Sequence, residues 1–221
     1  MGEELIIAQN VKTMLIKSKS NRNLSKTMLW WFSGDHMSDI MTELLDVLDE
    51  NGNLTGQSKT KQEIYNESCW HRSVHIWIIN DKKELLVQKR NPYKKTFPNL
   101  WAISSAGHVI AGETSVESGL RELKEELDVD ATKEDLEYLF TIKRVQPYKN
   151  SFIRVFDDVY LLHRNIDVDH TKLQVEELTD IKYVYYPYLE MILKEHDPDY
   201  VPYTEEHEKL FQVLNEKYHN E

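Results

Sequence analysis

The sequence contains a single cysteine, Cys69, among its 221 residues. This excludes an internal disulfide and fits a reducing compartment, where we expect Cys69 to pack as a small buried hydrophobe. No apolar run approaches the roughly 18 residues that a membrane span needs. Positive charge is also scarce, because 27 Lys and Arg against 38 Asp and Glu give a net charge of −11, which argues against nonspecific nucleic-acid binding. We therefore expect a cytoplasmic protein that binds neither nucleic acid nor a membrane.

The N-terminal region differs in composition from the rest of the chain. Residues 5–34 include no acidic side chain and five basic ones, a composition that organelle-targeting peptides share. Glu3 and Glu4 at the start of the chain argue against targeting. We therefore predict a disordered or non-native extension over residues 1–40 and one folded domain over residues 41–221.

The hydrophobic pattern predicts a mixed α/β protein. Short runs rich in branched and aromatic residues predict strands at 44–48, 54–58, 71–79, 84–90, 101–105, 136–145, 152–163 and 182–186. Helical spacing predicts helices at 113–127, 187–195 and 204–218. Strands with one helix in mid-chain and two at the end indicate a mixed sheet between helical layers.

The mid-chain helix carries an unusual group of carboxylates. Thr114 and Glu117 form a capping box at its start. Glu122, Glu125 and Glu126 stand at positions i, i+3 and i+4 and therefore share one face. Carboxylates that close repel one another unless a cation lies among them, and their oxygens favour a hard ion, most simply Mg²⁺. The alternative is an ordinary solvated acidic face.

The residues that frame this helix resemble the signature of the Nudix hydrolases. Gly107 is followed after five residues by Glu113, and seven residues later Arg121 begins an Arg-Glu-Leu-x-Glu-Glu run. The one departure is Asp128, where the family has glycine at a position that favours a left-handed backbone. Aspartate tolerates that conformation better than most residues. The resemblance covers about residues 43–203 and implies an α/β/α sandwich with a mixed β-sheet.

The same resemblance implies a Mg²⁺-dependent hydrolase, with Mn²⁺ as the other candidate ion, that cleaves a diphosphate linked to another group, typically a nucleoside. Bound metal would neutralise phosphate charge and lower the pKa of a water molecule. Glu125 would accept the proton of that water, with Glu122 and Arg121 as further catalytic residues. The resemblance also implies an ion pair between Arg121 and Glu113. The metal ligands that it implies are three carboxylates and one backbone carbonyl: Glu122, Glu125, Glu126 and Gly107.

A second set of residues is similar to type 1 isopentenyl-diphosphate isomerase, a branch of the Nudix fold. That enzyme moves a double bond with a cysteine just before a Gly-His pair and a glutamate on a later strand. Here these positions hold Ala106 and Asp158, so we expect hydrolysis and count Asp158 among the substrate-binding residues. Isomerisation and a silent ligand-binding module are the alternatives. The similar segments are Trp70-His71-Arg72-Ser73, Leu85 to Arg90, Lys94 to Trp101, and Gly107-His108.

The isomerase resemblance also implies that His71 and His108 hold a metal. On a strand, His71 and His75 project from the same face. These histidines either contact metal or phosphate or simply line the cleft. Lys89 and Arg90 either bind substrate phosphates or form a solvated basic turn. The expected partner is a small phosphorylated substrate, and the family resemblance allows a homodimer.

Overall fold

The computed structural model describes residues 43–218, so the predicted extension at 1–40 lies outside the described residues. Within 43–218, no helix combines the length and apolar character that crossing a membrane requires. The elements in chain order are β1 (Leu44–Leu48), β2 (Leu54–Thr60), α1 (Lys61–Asn66), β3 (Trp70–Ile79), β4 (Glu84–Arg90), β5 (Trp101–Ala102), β6 (Ser105–His108), α2 (Ser115–Leu127), a 3₁₀ turn (Lys133–Asp135), β7 (Leu136–Tyr148), β8 (Ser151–His163), β9 (Leu178–Tyr185), α3 (Tyr186–Lys194) and α4 (Glu205–Tyr218).

Strand β3 is the hub of a mixed sheet of nine strands. It runs parallel to β8 in continuous register from Trp70↔Arg154 to Ile79↔His163. It also pairs antiparallel with β6, β1 and β4. β4 extends the sheet to β5 and β9, and β7 pairs with β8. The predicted mixed sheet is confirmed.

Side chains that alternate along β3 divide the core between the two faces of the sheet. Val74, Ile76 and Ile78 pack in one cluster with Leu123 and Leu127 of α2. The intervening residues, such as Trp77, pack in a second cluster with α3 and α4. Helices therefore cover both faces, which confirms the α/β/α sandwich.

Helix α2 begins and ends as its sequence predicts. The hydroxyl of Thr114 accepts the Glu117 backbone N–H, and the Glu117 carboxylate accepts the Thr114 N–H. Asp128 ends the helix at φ 52° and ψ 32°, in the left-handed region. Its N–H reaches the carbonyls of Leu123 and Lys124. The aspartate thus adopts the conformation that glycine supplies in the family signature.

Two expectations need correction. The single strand predicted at 101–105 is split into β5 and β6 by the fully buried Ser104. The Ser104 hydroxyl accepts the Ile78 N–H at 2.9 Å and donates to the Leu86 carbonyl at 2.6 Å. It therefore takes the place of a backbone pairing partner. Cys69 is only partly buried, and its Sγ lies 3.9 Å from Nζ of Lys59, so the expectation of full burial was wrong.

Replacing Ser104 with alanine tests this bridge. Ser104→Ala would leave the Ile78 N–H and the Leu86 carbonyl buried without a partner, so we expect a loss of about 2 kcal/mol in the free energy of unfolding. Urea denaturation measures it. Ser58→Ala is the control, because that exposed hydroxyl bonds only Asp46, and it should cost less than about 0.5 kcal/mol. Equal losses in the two variants would contradict the bridging role.

Candidate active site

Gly107 makes the close approach of α2 to β6 possible. A Cβ atom at this position would lie 2.0 Å from Oε1 and 2.1 Å from Cδ of Glu122. No side chain tolerates such a contact, so only glycine allows the Glu122 carboxylate to lie against this backbone. The signature glycine is therefore required by packing against a signature glutamate.

Arg121 organises the acidic face of α2. Its Nη1 donates to Oε1 of Glu122 at 2.7 Å and to Oε2 of Glu125 at 3.3 Å. Nη2 donates to the His108 carbonyl at 3.1 Å, and Nε lies 3.5 Å from Oε2 of Glu113. The guanidinium thus ties two carboxylates of the helix to the loop before it, and brings Glu113 to the distance of an ion pair.

Glu126 is the buried member of the group, with 4% of its surface exposed. Its Oε2 accepts the Ser105 hydroxyl at 2.7 Å and the Ala106 N–H at 3.3 Å. Burial raises the pKa of Glu126 to about 7, and the nearby Glu122 charge adds to the shift. The hydrogen bonds and the charge of Lys94 lower this pKa but do not offset the effect of burial.

The three glutamates do not converge fully. Across residues 43–218, no three Asp, Glu, His or Cys side chains form a ready-made metal shell. Glu122 and Glu125 meet at Arg121, whereas Glu126 turns toward β6. The oxygen donors still fit a hard divalent cation, because the buried Glu126 carboxylate lies near that of Glu122, which covers the Gly107 backbone.

Two basic residues, Arg90 and Lys94, lie within electrostatic range of these carboxylates. Burial lowers the pKa of Lys94 to about 8, and the neighbouring Arg90 lowers it further, while Glu126 and Glu122 oppose the shift. The pKa of Arg90 is also lowered by burial and raised by Glu126. The structure therefore brings Arg90 and Lys94 to the acidic helix. Lys89 faces away, with Nζ 5.5 Å from the ring centre of Trp101.

Lys94 was missed as a site residue. Its loop, residues 91–100, contains no regular element, and only its place in the isomerase-like run signalled it. The ammonium group pairs with Glu177, which lies in the loop before β9. The Asn91 N–H donates to the Glu177 carbonyl at 3.0 Å and fixes the two loops together.

The histidines share one face of the sheet, as the strand period predicts. His71 and His108 stack with ring centres 5.6 Å apart, and Nε2 of His108 is 2.8 Å from the Tyr65 hydroxyl. Burial lowers the pKa of His71 to about 4 and that of His108 well below its usual value. Both imidazoles are therefore neutral near pH 7. We call this set, with His75, Ser73 and Ala106, the histidine face.

His75 differs from the other two. Its Nδ1 lies 2.7 Å from Oε2 of Glu206 on α4, and its Nε2 lies 3.6 Å from Oδ1 of Asp157. Burial alone would lower the pKa of His75, but these two carboxylates raise it to about 9. Arg144 holds the other side of Asp157 through Nε at 2.8 Å. Sequence reasoning missed Glu206, which is 131 positions away.

Asp158 is not brought to the histidine face. Both of its oxygens accept Nη1 of Arg72, at 2.7 and 2.8 Å, and Oδ1 also accepts the Thr141 hydroxyl at 2.6 Å. Adjacent residues of a strand point to opposite faces. Asp157, paired in register with Ser73, is therefore the carboxylate on the histidine face. The structure gives Asp158 no contact with His71 or His108 in residues 43–218.

Comparison with known proteins identifies the family of this chain. The NUDIX domain family matches residues 70–207. The chain belongs to the Nudix family. Nudix hydrolase 3 of Arabidopsis thaliana is 40% identical over 183 residues, which cover 79% of this chain and 24% of that protein. The chain thus spans about a quarter of the length of that relative.

Other Nudix relatives agree over more of their own length. An uncharacterised Nudix hydrolase of Clostridium acetobutylicum is 36% identical over 142 residues, covering 63% of this chain and 68% of that protein. The crystal structure of DR0079 from Deinococcus radiodurans superposes with a TM-score of 0.56 at 21% identity, covering 80% of this chain and 99% of that one. The latter likeness supports the fold alone.

The isomerase-like branch is represented at lower coverage. An isopentenyl-diphosphate Delta-isomerase of Paenarthrobacter aurescens is 35% identical over 95 residues, which cover 43% of this chain and 52% of that protein. The predicted resemblance of this Nudix protein to both groups is therefore confirmed.

The His75 pair predicts a pH-dependent stability of the Nudix domain. The folded pKa of about 9 lies above the usual 6.5, so the stabilisation is complete below pH 6.5 and is lost as pH rises through 9. We expect the difference in unfolding free energy between wild type and His75→Gln to shrink over that range, by at most roughly 3 kcal/mol. Urea denaturation of the two proteins at pH values from 6 to about 10 measures this difference.

The matched control is His170→Gln. His170 also pairs with a carboxylate, Asp167 at 2.9 Å, but its side chain is 84% exposed. Solvent screens such a pair, so this variant should track the wild type at every pH. A wild type to His75→Gln difference that stays constant with pH would show that His75 contributes by packing alone.

Proposed function

We propose that this chain is a Mg²⁺-dependent hydrolase that cleaves a diphosphate linkage in a small phosphorylated substrate of the nucleoside diphosphate type. The observation that carries the proposal is the buried Glu126 carboxylate beside Glu122, with the cations of Arg90 and Lys94 within electrostatic range of them. Juxtaposed anionic and cationic groups suit a substrate that is a phosphate anion with a metal ion bound.

The proposed metal ligands are Glu122, Glu125, Glu126 and the carbonyl of Gly107, with Mn²⁺ as a substitute ion. A divalent cation held there supplies charge neutralisation for the phosphates and activates water. Glu125 is the member whose side chain is half exposed, at 50%. It can therefore meet solvent water and accept its proton, which supports its role as the base.

Arg90 and Lys94 are proposed to hold the phosphate oxygens. The Nε of Arg90 donates to the Thr96 carbonyl at 3.0 Å, which fixes its guanidinium on the loop. Lys94 is paired with Glu177 and still lies in the field of Glu126 and Glu122. Arg121 instead positions Glu122 and Glu125, because all its polar contacts are within the signature.

Two alternatives receive less support. Isomerisation would need acid–base groups at the positions of Ala106 and Asp158, but Ala106 supplies none and Asp158 is committed to Arg72. Double-bond migration without diphosphate cleavage would decide for it. A silent binding module would be expected to lack signature glutamates, and here Glu122, Glu125 and Glu126 are all present.

Conservative removal of the carboxylates tests the proposal. We expect Glu125→Gln and Glu126→Gln to lower kcat for Mg²⁺-dependent diphosphate cleavage by at least about a hundredfold, since each removes a metal ligand or the base. Phosphate or monophosphate release from a panel of diphosphates measures it. Glu134→Gln is the control, because that carboxylate is 70% exposed on the 3₁₀ turn. Full turnover in both site variants would sink the assignment.

The glycine under Glu122 gives a second test. The Cβ atom of Gly107→Ala would lie 2.0 Å from Oε1 of Glu122 and would push that carboxylate away. A ligand displaced by about 1 Å can cost roughly a hundredfold in rate. We expect weaker Mn²⁺ binding by titration and a matching loss of kcat. Gly56→Ala, at φ +78° with open space around it, should lose stability but keep both properties. Unchanged Mn²⁺ affinity in Gly107→Ala would contradict the role of Glu122.

A further inference from the structure

We propose that His75 is a specificity-determining residue whose imidazolium contacts an oxygen-bearing group in the organic part of the substrate. The enzyme would then prefer diphosphates of polyhydroxylated groups over prenyl diphosphates. This inference rests on the proposed function for the position of the phosphates. It assigns to the histidine face a role that the signature helix does not perform.

The first step is access. The His75 side chain is 17% exposed, and its cross-strand partner is Ala106 on β6. Ala106 and the next β6 residue on that face, His108, are also partly exposed. A ligand can therefore approach the His75 ring from this side.

The second step is the free donor. Nδ1 of His75 is engaged by Glu206 at 2.7 Å, whereas Nε2 is 3.6 Å from the nearest Asp157 oxygen. That distance is too long for a hydrogen bond. The Asp157 oxygens are already bonded by Ser73 and by Arg144. The Nε2–H group is therefore the donor that remains for a ligand.

The third step is continuity with the phosphate site. The backbone N–H of Ala106 donates to Glu126 at 3.3 Å, while its methyl group is on the side of His75. His108 lies in the electrostatic fields of both His75 and Lys94. A substrate with its phosphates beside Glu126 can thus extend across β6 to His75.

The fourth step is chemistry. The charged groups around His75 are Asp157 on β8, Arg144 on β7 and Glu206 on α4, and its titratable neighbours are His108 on β6 and His207 on α4. A hydrocarbon chain placed there would remove water from these groups without replacing its hydrogen bonds. A hydroxyl-bearing group can accept from the imidazolium and donate to a carboxylate. The site therefore favours sugar-like groups over prenyl chains.

Calorimetric binding with Ca²⁺ in place of Mg²⁺ tests the inference, using ADP-ribose and dimethylallyl diphosphate as probes. The wild type should bind ADP-ribose more tightly. His75→Gln should weaken ADP-ribose binding about tenfold, the value of one charge-assisted hydrogen bond, and should change dimethylallyl diphosphate binding by less than about twofold. His170→Gln is the matched control and should bind both probes as the wild type does.

Glu206→Gln supplies a variant that keeps the imidazole. Without this carboxylate the His75 pKa falls, so ADP-ribose affinity should decline at lower pH in Glu206→Gln than in the wild type, which loses it as pH rises through about 9. Three results would each overturn the inference: no preference in the wild type, equal weakening of both probes by His75→Gln, or identical pH profiles for Glu206→Gln and wild type. Binding as expected without any Mg²⁺-dependent cleavage would instead refute the proposed hydrolysis.

Discussion

The alternation of side chains along β3 is the constraint on which the rest of the molecule depends. One set of residues, including Val74 and Ile76, packs under Gly119 of the signature helix. A Cβ atom at position 119 would lie 3.1 Å from Cδ1 of Ile76 and 3.2 Å from Cγ2 of Val74. The other set forms the histidine face. β6 repeats this division, because Gly107 lies under Glu122 while Ala106 pairs with His75. The acidic site and the histidine face therefore meet across a single backbone strand.

Charge density on α2 is tolerable because it is distributed among different partners. Arg121 takes Glu122 and Glu125, while β6 provides two donors for Glu126. Those donors are neutral, so they leave Glu126 with a raised pKa. A carboxylate that is hydrogen-bonded but not paired with a cation can be buried in the folded protein and still attract a metal ion. The arrangement thus reconciles a folded helix with a reactive carboxylate cluster.

Local signals made much of this structure predictable. The capping box at Thr114, the left-handed Asp128 and the hairpin of β1 and β2 each depend on neighbours a few residues away. The Glu206–His75 contact joins residues 131 positions apart and has no local signal. The sequence points to Asp158 as the isomerase-like carboxylate, whereas Asp157 is the carboxylate on the histidine face. An error of one residue on a strand moves the carboxylate to the other face.

The Nudix backbone can carry either hydrolysis or isomerisation, because the groups that distinguish the two reactions occupy few positions. An isomerase-like site needs a proton donor at position 106, and here Ala106, which pairs with His75 across the strands, supplies none. The imidazolium there is bound by Glu206 of α4 and is not poised to shuttle protons, since its pKa of about 9 keeps it charged near neutrality. The absence of a proton donor at position 106 and the fixed charge of His75 both favour ligand binding over proton transfer on the histidine face. The proposed hydrolysis then depends on the carboxylates of α2.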